Sequence, residues 1–140
     1  MHTGRKSDIE FSYRHSNLKT RNLIVIKINL NLKKGNKAEL LKIVSENNQK
    51  RIAAQPIEYP SAGSVFKNPE GDAAGRIIEH DLGLKGYTIG GAKISEKHAN
   101  FIINYDNATS EEIIRLIKYI QKEAKEKCNI DLILEQQIVE

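Results

Sequence analysis

The first strong pattern along the chain is an alternation of apolar and polar residues at positions 24–32. In the stretch "NLIVIKINLNLKKG", aliphatic residues occupy every second position: Ile24, Ile26, Ile28, Leu30 and Leu32. Successive side chains of a strand point to opposite faces, so this period of two predicts a β-strand with one apolar face. Lys33, Lys34 and Gly35 end the pattern.

Two longer segments carry the marks of α-helices. The first follows Asn36, has Glu39 at the spacing of a capping box, and ends before Pro56. The second follows Thr109, with Glu112 at the same spacing. Its apolar residues form a continuous stripe: Ile113, Leu116, Ile117, Ile120 and Ala124. Such a stripe predicts a helix with one face in the core.

The residue pattern between and after these helices predicts shorter helices and strands. Residues 73–82 have the pattern of a short helix stopped by Gly83 and Gly86. The stretches "YTIGGAKIS" and "ANFIINY" have strand length and are bounded by turn residues, and residues 130–134 predict a last strand. This mixture predicts an α+β fold.

Composition narrows the class of protein. Hydrophobic residues make up 39% of the chain and charged residues 29%, which is typical of a soluble globular protein. The 22 basic and 18 acidic residues leave a net charge of +4, too diffuse to predict nucleic-acid binding but suited to a small anionic ligand. The single cysteine, Cys128, excludes an internal disulfide and a cysteine-based metal cluster. With no apolar run near the roughly 20 residues of a membrane span, we expect a cytoplasmic protein.

The stretch "PSAGSVFKNP" crowds a hydroxyl, a cation and a carboxamide into five positions, at Ser64, Lys67 and Asn68. The four histidines lack the spacing of a serine triad or a zinc site. Ser64 therefore has two interpretations, a turn residue that satisfies the backbone or a catalytic residue. Lys67 and Asn68 suit a phosphate or sugar group. His98 precedes an apolar strand, where a polar side chain can face a crevice, although a lone histidine is more often structural.

Several motifs, taken together and in order, resemble one enzyme family. "YPSAGSVFKNP", "AGRIIEHDLGLKG", "IGGAKISEKHANFIIN" and "ATSEEIIRLIKYIQKE" are similar to the C-terminal half of UDP-N-acetylenolpyruvoylglucosamine reductase, in the shorter branch of that family. "EFSYRHS" resembles the family's "FGYRDS" segment. The resemblance implies a substrate-binding domain at residues 56–140, preceded at residues 1–55 by a strand and helix left from the flavin-binding domain.

The resemblance also implies an activity. The family reduces UDP-N-acetylglucosamine enolpyruvate to UDP-N-acetylmuramate for peptidoglycan synthesis, with FAD and NADPH as cofactors. Reduced flavin delivers hydride to the vinyl carbon, and a serine then protonates the adjacent carbon of an enolate-like intermediate. Ser64 stands at the position of that serine. Asn68 and His98 stand at substrate-contacting positions, and Lys67, beside Asn68, suits the anionic diphosphate.

The chain departs from the family at its end. The family's catalytic glutamate falls on Gln137, which can form hydrogen bonds but cannot carry a proton as a carboxylic acid does. A shift of one residue along a strand turns its side chains to the opposite face, so neither Glu135 nor Glu140 is expected to replace it.

The family's flavin-binding part lies mostly before the "EFSYRHS" segment. The resemblance implies that an arginine that polarises the substrate carboxylate belongs to that same part. The chain alone is therefore not expected to bind FAD. The apolar face of residues 24–32 should be covered by a partner chain with the flavin domain or by self-association. Three functions stay open: the substrate-binding portion of the reductase, inactive alone; a degenerate UDP-sugar binding module without catalysis; or a structural remnant without a ligand.

Overall fold

The first part of the chain forms a small hairpin. The structure, a computed structural model, describes residues 4–21 and 23–139. Strands β1 (Phe11–Ser12) and β2 (His15–Ser16) pair antiparallel. Short 3-10 helices, Lys6–Asp8 and Asn17–Lys19, lie on either side of the hairpin.

The strand predicted at residues 24–32 is absent from the described structure. Residues 23–36 form no helix or strand, and the alternating aliphatic side chains are exposed, Ile24 by 91% and Leu32 by 85%. A β-strand needs a neighbour for its N–H and C=O groups, and its apolar face needs a surface to pack on. The alternation therefore marks an apolar face that no other described residue covers.

The helix predicted after Asn36 is confirmed as α1 (Lys37–Ala54). The Asn36 side-chain oxygen accepts hydrogen bonds from the backbone N–H groups of Ala38 and Glu39, at 2.9 and 3.4 Å. The helix has no buried residue. Its N-cap is therefore satisfied, while its apolar side chains still face outward.

The core lies on a four-stranded antiparallel sheet. Its strands are β3 (Ser61–Ser64), β4 (Thr88–Ile89), β5 (Ala92–Ile94) and β6 (Phe101–Asn104), in the spatial order β3-β6-β5-β4. The helix predicted near residues 73–82 is α2 (Ala74–Arg76), which continues as a π-helical turn over Ile77–Asp81. Ile77 and Ile78 of that turn are buried in the core.

Helix α3 (Ser110–Cys128) covers the sheet and confirms the second predicted helix. Thr109 and Glu112 form the predicted capping box. One face of α3 is buried through Leu116, Ile117, Ile120 and Ala124. The last predicted strand, over residues 130–134, is reduced to a single bridge between Phe66 and Leu134. The mixture of helices and antiparallel strands confirms the α+β fold class.

Candidate functional site

A cavity of about 390 Å³ lies beside the end of β3. Four of the five predicted site residues line it: Ser64, Lys67, Asn68 and His98. The fifth, Gln137, is exposed and does not belong to the described residues that line this cavity. Small-molecule sites in proteins typically have about 300–1,000 Å³, so this cavity has the size of a ligand site.

A β-bulge positions Ser64. Ser61 pairs with Ile103 and Ser64 pairs with Phe101, so β3 uses one more residue than β6 over the same span. Gly63, within the bulge, has a φ of 82°, a conformation that glycine adopts far more readily than other residues. Bulges bend a strand and redirect its side chains. The glycine before Ser64 thus has a backbone reason, which brings the hydroxyl to the cavity wall.

Asn100 fixes the segment that follows Ser64. Its side chain is buried and pairs twice with the backbone of Phe66, donating to the carbonyl at 2.8 Å and accepting from the N–H at 3.0 Å. The Asn100 carbonyl also accepts from the Val65 N–H at 2.9 Å. From the sequence, no role was assigned to Asn100. Its burial in the core, which the sequence alone does not show, reveals its function as a backbone clamp.

His98 is held by the same loop. Its Nδ1 accepts a hydrogen bond from the Asn100 N–H at 3.2 Å, and its own N–H donates to the buried Ser95 hydroxyl at 3.3 Å. Burial lowers the pKa of His98 below its ordinary value. Both observations favour a neutral imidazole at neutral pH, with its proton on Nε2. His98 therefore combines a structural bond on one nitrogen with a hydrogen-bond donor on the other.

Two of the polar groups on the cavity wall also serve the fold. The Asn68 side-chain oxygen accepts from the Ala74 N–H at 3.1 Å, at the start of α2. Arg76 is bound by two carboxylates, Asp72 and Asp81. Its hydrogen bonds to Asp72 lower the pKa of that carboxyl to about 2. The two carboxylates compensate the charge of Arg76, which leaves other cations to attract an anionic ligand.

The hairpin contributes a cation that sequence reasoning missed. Tyr13 and Arg14, in the turn between β1 and β2, line the cavity together with Ser64. Arg14 has a φ of 54° in that turn. The family resemblance implied that the arginine that polarises the substrate carboxylate lies outside this chain. Arg14 nevertheless places an arginine on the wall of this cavity. The signal was the "YR" pair inside "EFSYRHS".

Glu135 brings a carboxyl group to the cavity. The chain at residues 133–135 runs antiparallel to residues 65–67, with the Lys67 N–H donating to the Ile133 carbonyl at 2.8 Å and the Glu135 N–H donating to the Val65 carbonyl at 2.9 Å. The Glu135 side chain lines the cavity. Its Oε2 is buried and has no hydrogen-bond partner among the described residues. The sequence indicated that Glu135 could reach the site only if the last strand shifted its register. The structure places Glu135 on the cavity wall through the pairing just described.

The described residues contain neither a metal-binding cluster nor a membrane-spanning helix. Across residues 4–21 and 23–139, no three histidine, cysteine or acidic side chains are grouped as a metal ion requires. Within the same ranges, no helix has both the length and the apolar character to cross a membrane. The candidate site is the cavity that Ser64 lines together with Lys67, Asn68 and His98.

Comparison with known families identifies the family of the chain. A sequence profile described as "UDP-N-acetylenolpyruvoylglucosamine reductase, C-terminal domain" matches residues 55–139. The chain belongs to the UDP-N-acetylenolpyruvoylglucosamine reductase family. The family resemblance seen in the sequence motifs is thereby confirmed. Most residues that line the cavity lie within the matched range, whereas Tyr13 and Arg14 lie before it.

Individual reductases extend the match beyond that domain. The chain is 52% identical over 132 residues to the UDP-N-acetylenolpyruvoylglucosamine reductase of Caldanaerobacter subterraneus, which covers 94% of this chain and 43% of that protein. It is 49% identical over 135 residues to the reductase of Fervidobacterium nodosum, covering 95% of this chain and 43% of the relative. The chain thus spans less than half the length of these reductases.

A solved reductase shares the fold. The crystal structure of the enzyme from Thermus caldophilus superimposes with a TM-score of 0.79 at 37% sequence identity, covering 94% of this chain and 46% of that one. This likeness independently confirms the α+β fold class and the family.

Proposed function

We propose that residues 56–140 are the substrate-binding portion of a flavin-dependent reductase that converts UDP-N-acetylglucosamine enolpyruvate to UDP-N-acetylmuramate in peptidoglycan synthesis. The observation that carries this proposal is the gathering of Ser64, Lys67, Asn68 and His98 around one cavity. Membership of the reductase family supports the substrate class. FAD and NADPH as cofactors rest on the family resemblance, and a cytoplasmic location rests on the composition of the sequence.

The charges of the cavity suit a nucleotide sugar. Lys67 and Arg14 carry positive charge on its wall and can attract the diphosphate. Lys97, also on the wall, pairs with Glu58 at 3.3 Å and so contributes less. The neutral His98 and the carboxamide of Asn68 are suited to hydrogen bonds with sugar or uracil groups.

Ser64 is proposed as the proton donor. When the enolpyruvyl group is reduced, the carbon next to its carboxylate becomes strongly basic. The Ser64 O–H bond breaks as a C–H bond forms at that carbon, which leaves an alkoxide on Ser64. A substrate carbon that basic can take a proton from a hydroxyl of ordinary acidity, so Ser64 needs no neighbouring histidine base.

The described residues do not fit FAD. A bound isoalloxazine ring needs apolar cover, and the apolar residues of 23–36, which lie outside the matched C-terminal domain, are exposed and enclose nothing. We propose that the remaining part of the family's chain supplies that cover, whether on the same polypeptide or as a partner.

A second function is a UDP-sugar binding module without catalysis. The sequence resemblance favours it, because it places the family's catalytic glutamate at Gln137, whose carboxamide cannot carry a proton as a carboxylic acid does. The cavity would serve binding in both cases. Only the first function requires the Ser64 proton, so it alone predicts a turnover that Ser64→Ala abolishes.

Calorimetric titration with UDP-N-acetylglucosamine enolpyruvate tests binding. Saturable binding is expected, weakened about tenfold by Lys67→Ala because a cation near the diphosphate is lost. The control Lys118→Ala removes an exposed lysine of α3 outside the cavity and should change nothing. No heat at millimolar ligand, or equal losses in both variants, contradicts the proposal.

A mixing experiment separates the two functions. The chain is combined with the part of the Caldanaerobacter reductase that precedes the matched region, together with FAD, NADPH and the enolpyruvyl substrate. Consumption of NADPH that Ser64→Ala abolishes supports the reductase. Substrate binding without consumption supports the binding module.

A further inference from the structure

Two small residues adjoin His98: Ser95, at the start of its loop, and Gly75, in α2. The Ser95 side chain is buried in the turn that follows β5. Its hydroxyl oxygen accepts hydrogen bonds from the backbone N–H groups of Lys97 and His98, at 3.1 and 3.3 Å. A serine that accepts two N–H groups in this way fixes the local course of the backbone. The turn from which the His98 side chain projects is therefore fixed by Ser95.

The far end of the loop is tied back to its start. The Ser95 N–H donates to the Phe101 carbonyl at 2.9 Å, and the Phe101 N–H donates to the His98 carbonyl at 3.0 Å. The rings of Phe101 and His98 also lie against each other, with their centroids 4.9 Å apart. A displacement of the imidazole thus requires a change in at least one of these contacts.

Gly75 leaves the space that the imidazole occupies. A methyl group added at its Cα would lie only 3.3 Å from His98 Cε1. Carbon atoms prefer a separation of about 3.5–4.0 Å, so such a group would push the ring aside. Gly75 and His98 both line the cavity. Because Nδ1 already accepts from the Asn100 N–H, Nε2 is the ring nitrogen left to meet a ligand there.

We propose that Ser95 and Gly75 are positioning residues, which hold His98 so that its Nε2–H donates a hydrogen bond to the bound nucleotide sugar. This inference rests on the proposed function. The Ser95 hydroxyl is buried and engaged with the backbone, and Gly75 has no side chain, so both residues act through His98. A hydrogen bond weakens steeply when its donor leaves the preferred distance and direction, so a small shift of the ring lowers the affinity.

Nitrogen NMR shifts of the imidazole rings, measured on the chain without ligand, test the placement of His98. In the parent chain, His98 should show the tautomer with its proton on Nε2, because Nδ1 accepts from the Asn100 N–H. Ser95→Ala relaxes the turn and Gly75→Ala pushes the ring, so both should move the His98 signals and leave those of His15 unchanged. Gly75→Ala keeps the Ser95 hydroxyl and introduces a better helix former, so it should fold even if Ser95→Ala does not.

Calorimetric titration with UDP-N-acetylglucosamine enolpyruvate shows whether the two residues act through His98. Ser95→Ala, Gly75→Ala and His98→Ala should each weaken binding about fivefold, as expected for the loss of one hydrogen bond. Added to His98→Ala, either of the other two changes should weaken binding by less than about twofold, because the group through which they act is gone. The control Ser45→Ala removes an exposed hydroxyl of α1 and should leave the affinity unchanged.

Three results overturn the proposal while the proposed function stands. The first is a set of His98 signals that neither single variant moves. The second is losses of affinity that multiply in full in the double variants, since Ser95 and Gly75 would then act without His98. The third is an unchanged affinity in His98→Ala. If the parent chain binds no ligand, the proposed function falls together with the ligand contact of His98, and the signals of the free chain still decide whether Ser95 and Gly75 place the ring.

Discussion

Helices α1 and α3 have nearly the same length and the same kind of start, yet only α3 has a buried face. They contain 18 and 19 residues, and each begins at a side chain that accepts hydrogen bonds from the first turn. Four residues of α3 are buried, and none of α1. Leu116 in α3 is 0% exposed, whereas Leu41 in α1 is 58% exposed. Capping and helix propensity define where a helix forms, but not whether anything packs against it.

The difference follows the boundary of the matched domain. The profile of the C-terminal domain begins at residue 55, and the core of the structure lies after it. The relatives match residues before it as well. The exposed apolar side chains of residues 23–54 therefore lie before the matched domain, in a part of the chain where the described residues do not bury them.

Truncating a leucine in each helix gives the largest expected contrast. Leu116→Ala opens a cavity in the core and should lower the free energy of unfolding by about 3 kcal/mol. Leu41→Ala removes an exposed side chain and should change it by less than about 0.5 kcal/mol. Urea denaturation followed by circular dichroism measures both. Similar losses in the two variants would show that α1 is packed in solution, by self-association or otherwise.

Replacing the buried clamp tests how strongly the site depends on the core. Asn100→Ala leaves the Phe66 N–H and carbonyl without partners in the interior, so stability should fall by about 2 kcal/mol. Asn68→Ala removes one hydrogen bond at an exposed position and should lower stability by less than about 1 kcal/mol. Chemical denaturation gives both values. A larger loss from Asn68→Ala would contradict the role of Asn100 as the clamp of the Ser64 segment.

Much of the fold could be predicted because local signals and packing agree. The stripe of α3, its capping box and the short strands before it appear in the sequence and in the structure. The prediction of a strand at residues 24–32 was wrong, because the alternation specifies an apolar face but does not supply a neighbouring strand to pair with. The strand over residues 130–134 contracted to the bridge at Leu134. Period alone does not reveal how many residues will find neighbours.

The site was predictable in part. Ser64, Lys67 and Asn68 are close in sequence, and His98 came from the family resemblance. The contributions of Arg14, Asn100 and Glu135 depend on contacts between distant segments. Asn100 clamps Phe66 from 34 residues away, and Glu135 reaches the cavity through a backbone pairing with Val65. Spacing along the chain contains no sign of such pairings, so only the folded structure identifies these residues.

Removing the two N-caps tests the comparison of the helices most finely. Thr109→Ala should lower the free energy of unfolding by about 1 kcal/mol, because the cap of a packed helix contributes to the stability of the whole core. Asn36→Ala removes an equivalent cap from α1, where no buried residue links the helix to the core. Its effect should be local: less helical signal and faster amide exchange in residues 37–54, with an unchanged midpoint of cooperative unfolding. Hydrogen exchange read residue by residue, beside the denaturation curve, measures both effects. An equal shift of the midpoint in the two variants would mean that α1 unfolds together with the core, and the two helices would then differ in exposure but not in coupling.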